Sequence, residues 1–290
     1  MKIYSLGSLN IDYVYQMPHF VQPGETISST RLDIFPGGKG LNQSVALGKA
    51  GATVIHGGFA NKNDSWLIDV LKNANVDVSH LGAVDLPSGH AIIQVDPSGQ
   101  NNIILFSGAN YCFTPEYVEN ILADAEPGDI VLLQNEINDL ATIFEAAHKK
   151  GLQIALNPSP FNEKLLDLPL EYVTWWICNE IEGQELSGKS DSKEILEELY
   201  AKYPQSNIVL TLGSEGCLFK NSELSLFQPA RKVKAIDTTA AGDTFTGYFL
   251  GMVAAGKGIA EALEIATKAS AIAVTREGAS VSIPFAHEVI

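Results

Sequence analysis

From Thr53 onward the chain alternates between two kinds of segment. Short apolar runs at 53–59, 76–81, 130–134, 152–157, 173–178, 207–212 and 217–220 read as strands. Longer stretches at 65–74, 115–123, 138–150, 180–187, 192–203, 245–255 and 258–275 read as helices. Strands separated by helices pair in parallel, because the chain must cross back over the sheet before it can pair again. The pattern therefore predicts an α/β fold: a mostly parallel sheet with helices on both faces. With 290 residues, 46% of them apolar, the chain can bury a core of that size.

Two segments interrupt the alternation. Residues 13–36 and 88–106 lack a helical period, and Pro97-Ser98-Gly99 reads as a hairpin turn in the second. They are expected to form a small second sheet, a lid over the site, within one domain spanning 1–290. Polar residues gather where the main strands end. Asn10 and Asp12 follow the first strand at 2–8. Asn135 and Glu136 follow 130–134, Asn157 follows 152–156, and Asn179, Glu180 and Glu182 follow 173–178. Thr211, Gly213, Ser214 and Gly216 close the strand at 207–212. Singly, each is a cap or an Asx turn. Together they point to one ligand cleft at the carboxyl ends of the strands.

Two glycine-containing stretches carry chemistry. Gly37-Gly38-Lys39-Gly40-Leu41-Asn42 precedes a helix expected over 41–50. It is not a phosphate loop of the G-x-x-x-x-G-K-[ST] type, since Gly40 follows the lysine. It could bring backbone close to a neutral polar ligand, with Lys39 and Asn42 as donors. Asp237-Thr238-Thr239-Ala240-Ala241-Gly242-Asp243 lies between an expected strand end at 233–236 and an apolar helix. Small residues at a helix N-terminus let amides approach an anion. Asp243 is then placed as a general base for a hydroxyl that attacks phosphorus. An ordinary capped helix start fits the same residues.

The net charge of −15 argues against nucleic acid and anionic membranes as partners. Cys112, Cys178 and Cys217 lie too far apart for a metal knuckle or a disulfide framework, and fit a reducing compartment. No signal-like start and no long apolar span occurs, so a cytoplasmic protein is expected. G-x-S-x-G, H-E-x-x-H and a helix-opening G-x-G-x-x-G are absent.

The ordered set of Pro23-Gly24-Glu25-Thr26, Gly37 to Asn42, Gly108-Ala109-Asn110, Asn157 to Pro160, Asn179 to Glu182, Thr211 to Gly216, Asp237 to Asp243 and Ala271 to Gly278 resembles the ribokinase-like (PfkB) carbohydrate kinases. The resemblance spans Asn10 to Pro284. It implies a three-layer α/β/α domain with a β-lid that also forms a homodimer contact. It implies ATP-dependent phosphorylation of a sugar hydroxymethyl, D-ribose first, with deoxyribose, fructose, a keto-deoxy sugar acid or a nucleoside as alternatives. A non-catalytic sensor on the same scaffold would be expected to have lost its base or anion hole. By position, Asp243 would be the base, and the Ala240, Ala241 and Gly242 amides the anion hole. Asn10, Asp12, Gly38, Lys39, Asn42 and Glu136 match sugar positions. Asn179, Thr211, Gly213, Ser214, Gly216 and Gly242 match nucleotide positions, and Asn179 with Glu182 matches the Mg²⁺ pair. Asp237, Thr239, Ala273, Arg276, Gly278 and Ser282 match a monovalent-cation site, expected to favour K⁺. One segment departs from the family pattern: Ala60 to Leu67 lacks the usual glycines, which keeps the alternative sugars open.

Overall fold

A computed structural model describes residues 1–290. The chain begins with β1 (Ile3–Leu6), then leaves the main sheet to form β2 (Asn10–Gln16) and β3 (Arg31–Gly37) before α1 (Lys39–Lys49). Next come β4 (Val54–Asn61), α2 (Trp66–Asn73), β5 (Leu81–Val84), and the hairpin of β6 (Gly89–Val95) and β7 (Asn101–Phe106). The regular alternation follows: α3 (Pro115–Ile121), β8 (Ile130–Gln134), α4 (Leu140–Lys149), β9 (Gln153–Asn157) and β10 (Val173–Asn179). It continues through α5 (Glu180–Ser187), α6 (Ser192–Lys202), β11 (Asn207–Thr211), β12 (Gly216–Lys220) and β13 (Ser225–Pro229). Three helices end the chain: α7 (Ala241–Ala254), α8 (Ile259–Ala273) and the short α9 (Ala286–Val289).

The main sheet has nine strands in the order β13-β12-β11-β10-β9-β8-β1-β4-β5. It is parallel from β5 to β11, while β12 and β13 add on antiparallel. Side chains alternate across it with period two. Ile3, Ile130, Leu132, Ile177 and Val209 join one core with α1, α2, α7 and α8. Tyr4, Val131, Leu133, Cys178 and Leu210 join the other with α3, α4, α5 and α6. These are the three layers. The second sheet, β3-β2-β6-β7, has β2 antiparallel to β3 and parallel to β6.

The structure differs from the expected elements in four places. The strand expected at 76–81 forms at Leu81–Val84; Asp77 makes only one bridge, and its Oδ1 accepts from the Ser79 amide, turning the chain first. No strand forms at 233–236, where the half-exposed Val233 and Ile236 have no neighbouring strand to pair with, and β13 was not anticipated. The helix at 245 begins four residues earlier, at Ala241. Asn10 and Asp12 lie within β2 and not in a turn.

Candidate active site

The turn into α7 is made by Ala240, which adopts a left-handed conformation (φ 58°) as the helix N-cap. That geometry is unfavourable for a residue with a Cβ. It stops the incoming chain abruptly and exposes the first helical turn, whose N–H groups have no intrahelical acceptor. The Ala241 amide bends back to Thr238 O at 3.2 Å, which leaves Gly242 and Asp243 at the mouth. No atom lies within 4 Å of where a Gly242 Cβ would sit, so backbone can meet a ligand there. A cavity of about 200 Å³ opens against Ala240 to Asp243, with Lys39, Asn179 and Glu182 on its other walls.

Asp243 is buried at the edge of this cavity. Its Oδ2 accepts from Asn42 Nδ2 at 3.1 Å and its Oδ1 from Gln43 Nε2 at 2.9 Å. The helix carrying both amides can come this close because α1 and α7 touch at Gly247: a Cβ there would lie 2.4 Å from Ala46 Cβ.

Beside the start of α1, Glu136 accepts from Ser8 Oγ and from the Lys39 amide (2.9 Å). Asn10 Oδ1 accepts from Asn110 Nδ2 at 2.7 Å, and Asn110 Oδ1 from the Leu9 amide at 2.9 Å. Asn42 Oδ1 is buried without a partner, an acceptor left for a ligand hydroxyl. Gly38 has φ 91° and would press a Cβ onto Ser8. The electrostatics are dominated by carboxylates. Burial raises Glu136, and burial with the Glu136 and Asp243 charges pushes Asp12 up to about 6. Burial alone would lower Lys39, but Asp243, Glu136, Glu182 and Asp12 together hold it above its ordinary value.

On the other side, Asn179 and Glu182 form a reciprocal capping box on α5, with N–H···O distances of 2.9 and 3.0 Å. The cap and the cavity wall are the same pair, so the structural and functional readings coexist. Their oxygens are hard donors, and one buried carboxylate is what Mg²⁺ needs when waters complete its shell. A second cavity of about 610 Å³ is reached past Thr211, Thr238, Ala241 and Gly242, which line both; Gly213, Ser214, Gly216 and Lys232 lie along it. Phe245, Ala271 and Val274 give it apolar walls.

The six cation-site positions come together in part. The Ile236 and Asp237 amides donate to Val274 O, and Asp237 Oδ1 and Oδ2 accept from the Thr239 and Gly278 amides. Burial would raise Asp237, but those bonds hold it below its ordinary value. With both carboxylate oxygens engaged, a cation here would rely on main-chain carbonyls and the buried Ser282 hydroxyl. Ala273 O already accepts from the Arg276 amide at 3.0 Å, and the Arg276 side chain turns outward to Glu288. Lys268 donates to Val289 O and so ties α9 to α8; it is a structural tether.

The family model described as pfkB family carbohydrate kinase matches residues 1–286. The chain belongs to the pfkB family of carbohydrate kinases. It is 34% identical to a ribokinase of Staphylococcus aureus over 99% of this chain and 98% of that protein. A ribokinase from Cryptococcus neoformans, solved in complex with ADP, superposes with a TM-score of 0.86 at 32% identity, covering 99% of this chain and 98% of that one. An Arabidopsis thaliana ribokinase complexed with ribose and ATP gives 0.85 at 27% identity, covering 99% and 96%. The protein is thus a carbohydrate kinase, and its three-layer fold with a small separate sheet is that of its structural neighbours.

Reasoning from sequence missed Ser8, Gln43, Asn110 and Gln134 in this pfkB-family site. Asn110 stood inside a quoted motif, and Gln43 directly followed another. Ser8 and Gln134 ended strands with no pattern to mark them.

The carboxylate cluster predicts a trade between stability and binding. Unfolded, Asp12 loses its proton near 3.8; folded, it keeps it to about 6. Native protein therefore binds the extra proton between those values, and stability falls as pH rises through that window. Asp12→Asn is expected to stabilise the ligand-free enzyme by about 3 kcal/mol well above pH 6, with the gain vanishing as pH approaches 4, while weakening sugar binding. Melting curves of both proteins across this range check it; a gain independent of pH would assign the effect to something other than ionisation.

Proposed function

We propose that this pfkB-family kinase transfers the γ-phosphoryl group of ATP to the 5-hydroxyl of D-ribose. The observation that carries the reading is Asp243, buried in the first turn of α7 with the anion-accepting amides on one side and the Asn10, Asp12, Asn42 and Glu136 cluster on the other. Ribose is favoured because the protein is similar along its whole length to proteins named ribokinase. Residues 60–67, which depart from the family pattern, line neither cavity. Asn61 N and Asp64 Oδ2 both engage Ser88 Oγ, at 2.8 and 2.7 Å, tying that segment to the base of β6.

In this reading Asp243 takes the hydroxymethyl proton as the oxygen attacks phosphorus. The new O–P bond forms as the bond to the β-phosphate oxygen breaks, and ADP leaves with that electron pair. The Gly242 and Asp243 amides and Lys39 face the charge that develops on the transferred group. Glu182 and Asn179 would hold Mg²⁺ largely through water, supplying charge neutralisation. Carbonyls of 237–239 and 273–282 would hold K⁺ behind the anion hole. Residues 1–290 act as one domain, with the second sheet as a lid that excludes water. Leu32, Ile34 and the row Ile103 to Phe106 leave half-exposed apolar side chains on that sheet. We assign them to a homodimer contact. No helix is long and apolar enough to cross a membrane. The three unpaired cysteines fit a reducing cytoplasm.

The test is a coupled assay of ADP release with Mg²⁺ and K⁺ on ribose, deoxyribose, fructose, a keto-deoxy gluconate and adenosine. Ribose is expected to lead by about 100-fold in kcat/KM, and Na⁺ in place of K⁺ to lower the rate. Another sugar leading would overturn the ribose assignment, and equal rates in the two salts the cation site.

A further inference from the structure

Gln43 is fully buried on α1 and matches no sugar or nucleotide position, yet it touches the catalytic carboxylate. Its Nε2 donates to Asp243 Oδ1 at 2.9 Å and to Asn157 Oδ1 at 3.0 Å. Its Oε1 accepts from Gln134 Nε2 at 2.7 Å. Gln134 is itself fully buried at the end of β8, beside Asn157 at the end of β9 in the sheet register. Asn157 Nδ2 donates to Ile177 O of β10 at 2.9 Å.

The direction of this chain of amides is fixed by its ends. The Ile177 carbonyl can only accept, so Asn157 must turn its nitrogen there and its oxygen toward Gln43. Asp243 is an acceptor when ionised, as is Asn157 Oδ1, so both hydrogens of Gln43 Nε2 are used and the amide cannot flip. Flipping would set an oxygen against a buried carboxylate. The carboxyl ends of β8, β9 and β10 thus control the orientation of a side chain on α7, 66 to 109 residues further along the sequence.

We propose that Gln43 is a positioning residue for Asp243: it engages Oδ1, so that Oδ2, which accepts one bond from Asn42 Nδ2 and keeps a lone pair, is the oxygen that receives the substrate proton. The inference rests on Asp243 being the base. A donor on Oδ1 fixes the carboxylate plane. The other charged groups facing Asp243 are Lys39 from α1, Asp12 from β2 and Glu136 after β8, with Glu182 from α5 facing Lys39. None of them is replaced in the test.

The experiment compares Gln43→Met, close in shape and without donors, with Gln43→Glu. For Gln43→Met, kcat is expected to fall about 10- to 100-fold, as for a misplaced catalytic group. KM for sugar and ATP should stay within about threefold. Gln43→Glu behaves differently. Its carboxyl can donate to Asp243 only when protonated, so its kcat relative to the parent should rise as pH falls. A packing defect leaves that ratio flat with pH. A Gln43→Met enzyme with kcat within about twofold of the parent overturns the proposal. Should that variant not fold, the Gln43→Glu ratio decides, and a flat or falling ratio overturns it. Asp243→Asn run beside them separates the two levels. If it retains turnover, the base assignment fails. If it is inactive while Gln43→Met is normal, only the positioning role fails.

Discussion

Asp243→Asn is expected to lose about 10³-fold in kcat while still binding sugar and ATP, within the usual range for removing a positioned general base. The side chain keeps its shape, so the loss should fall on the chemical step. The surroundings can accept it. Gln43 Nε2 still finds an oxygen on the new amide. The new nitrogen would face Asn42 Nδ2, donor against donor, but Asn42 Oδ1 is buried without a partner, and rotation of the Asn42 amide turns that oxygen toward it. The variant should therefore fold and melt near the parent. Removing one charge from the cluster also lets Asp12 and Glu136 ionise more readily, since both are raised partly by Asp243. Steady-state kinetics with calorimetric titration of both substrates measures this. A kcat within tenfold of the parent would reject Asp243 as the base.

Gly40→Ala should do the reverse, damaging the scaffold first. An added Cβ would lie 2.3 Å from Ser8 N and 2.5 Å from Gly7 C. These are backbone atoms between β1 and β2, and they cannot rotate away. The start of α1 is bonded to the same place: Leu41 N donates to Ser8 O at 2.9 Å and Gly40 N to Ser8 Oγ at 3.2 Å. Moving the helix off Ser8 therefore strains the Ser8–Glu136 and Lys39–Glu136 bonds together. We expect a loss of about 3 kcal/mol, or about 6 °C in Tm for a chain of this length. In the folded fraction, kcat/KM for sugar should fall by about 100-fold or more, because reacting groups tolerate little displacement. Unchanged melting would mean that β1 and α1 can separate more freely than their close contact allows.

The contrast between these two residues shows what sequence can reveal. Gly40 stood in a quoted glycine stretch, but its contact with the backbone of Gly7 and Ser8 shows only in the fold; Asp243 was legible because its type is a rare solution to a geometric demand, a carboxylate in a helix first turn. The alternation from Thr53 onward was legible for a similar reason, since period two and period 3.6 are local properties. Where local signals were weak, the reading slipped. Val233 and Ile236 have strand-forming side chains, but a strand needs a neighbour, and β13 ends the sheet at Pro229. The helix start moved from 245 to 241 because Ala240 accepts a left-handed turn that its residue type disfavours. Asn10 and Asp12 read as residues past the end of the first strand, yet they pair with β3 and β6, strands that only long-range contacts bring to them.

By itself the sequence determined the layered α/β class, the small second sheet, the family and the candidate proposed as base, because each rests on periodicity or on short motifs of residue types held within a few positions of one another. The tertiary structure alone decided how that base is held. Gln43 lies 200 positions from Asp243 and 91 from Gln134, and an amide gives no sign in sequence of where its hydrogens point. Which acceptors converge on it depends on how α1, α7 and the ends of β8 and β9 pack. The same holds for Asp12, whose carboxyl is ordinary in sequence and becomes a weak acid only when folding removes its water and sets Glu136 and Asp243 beside it.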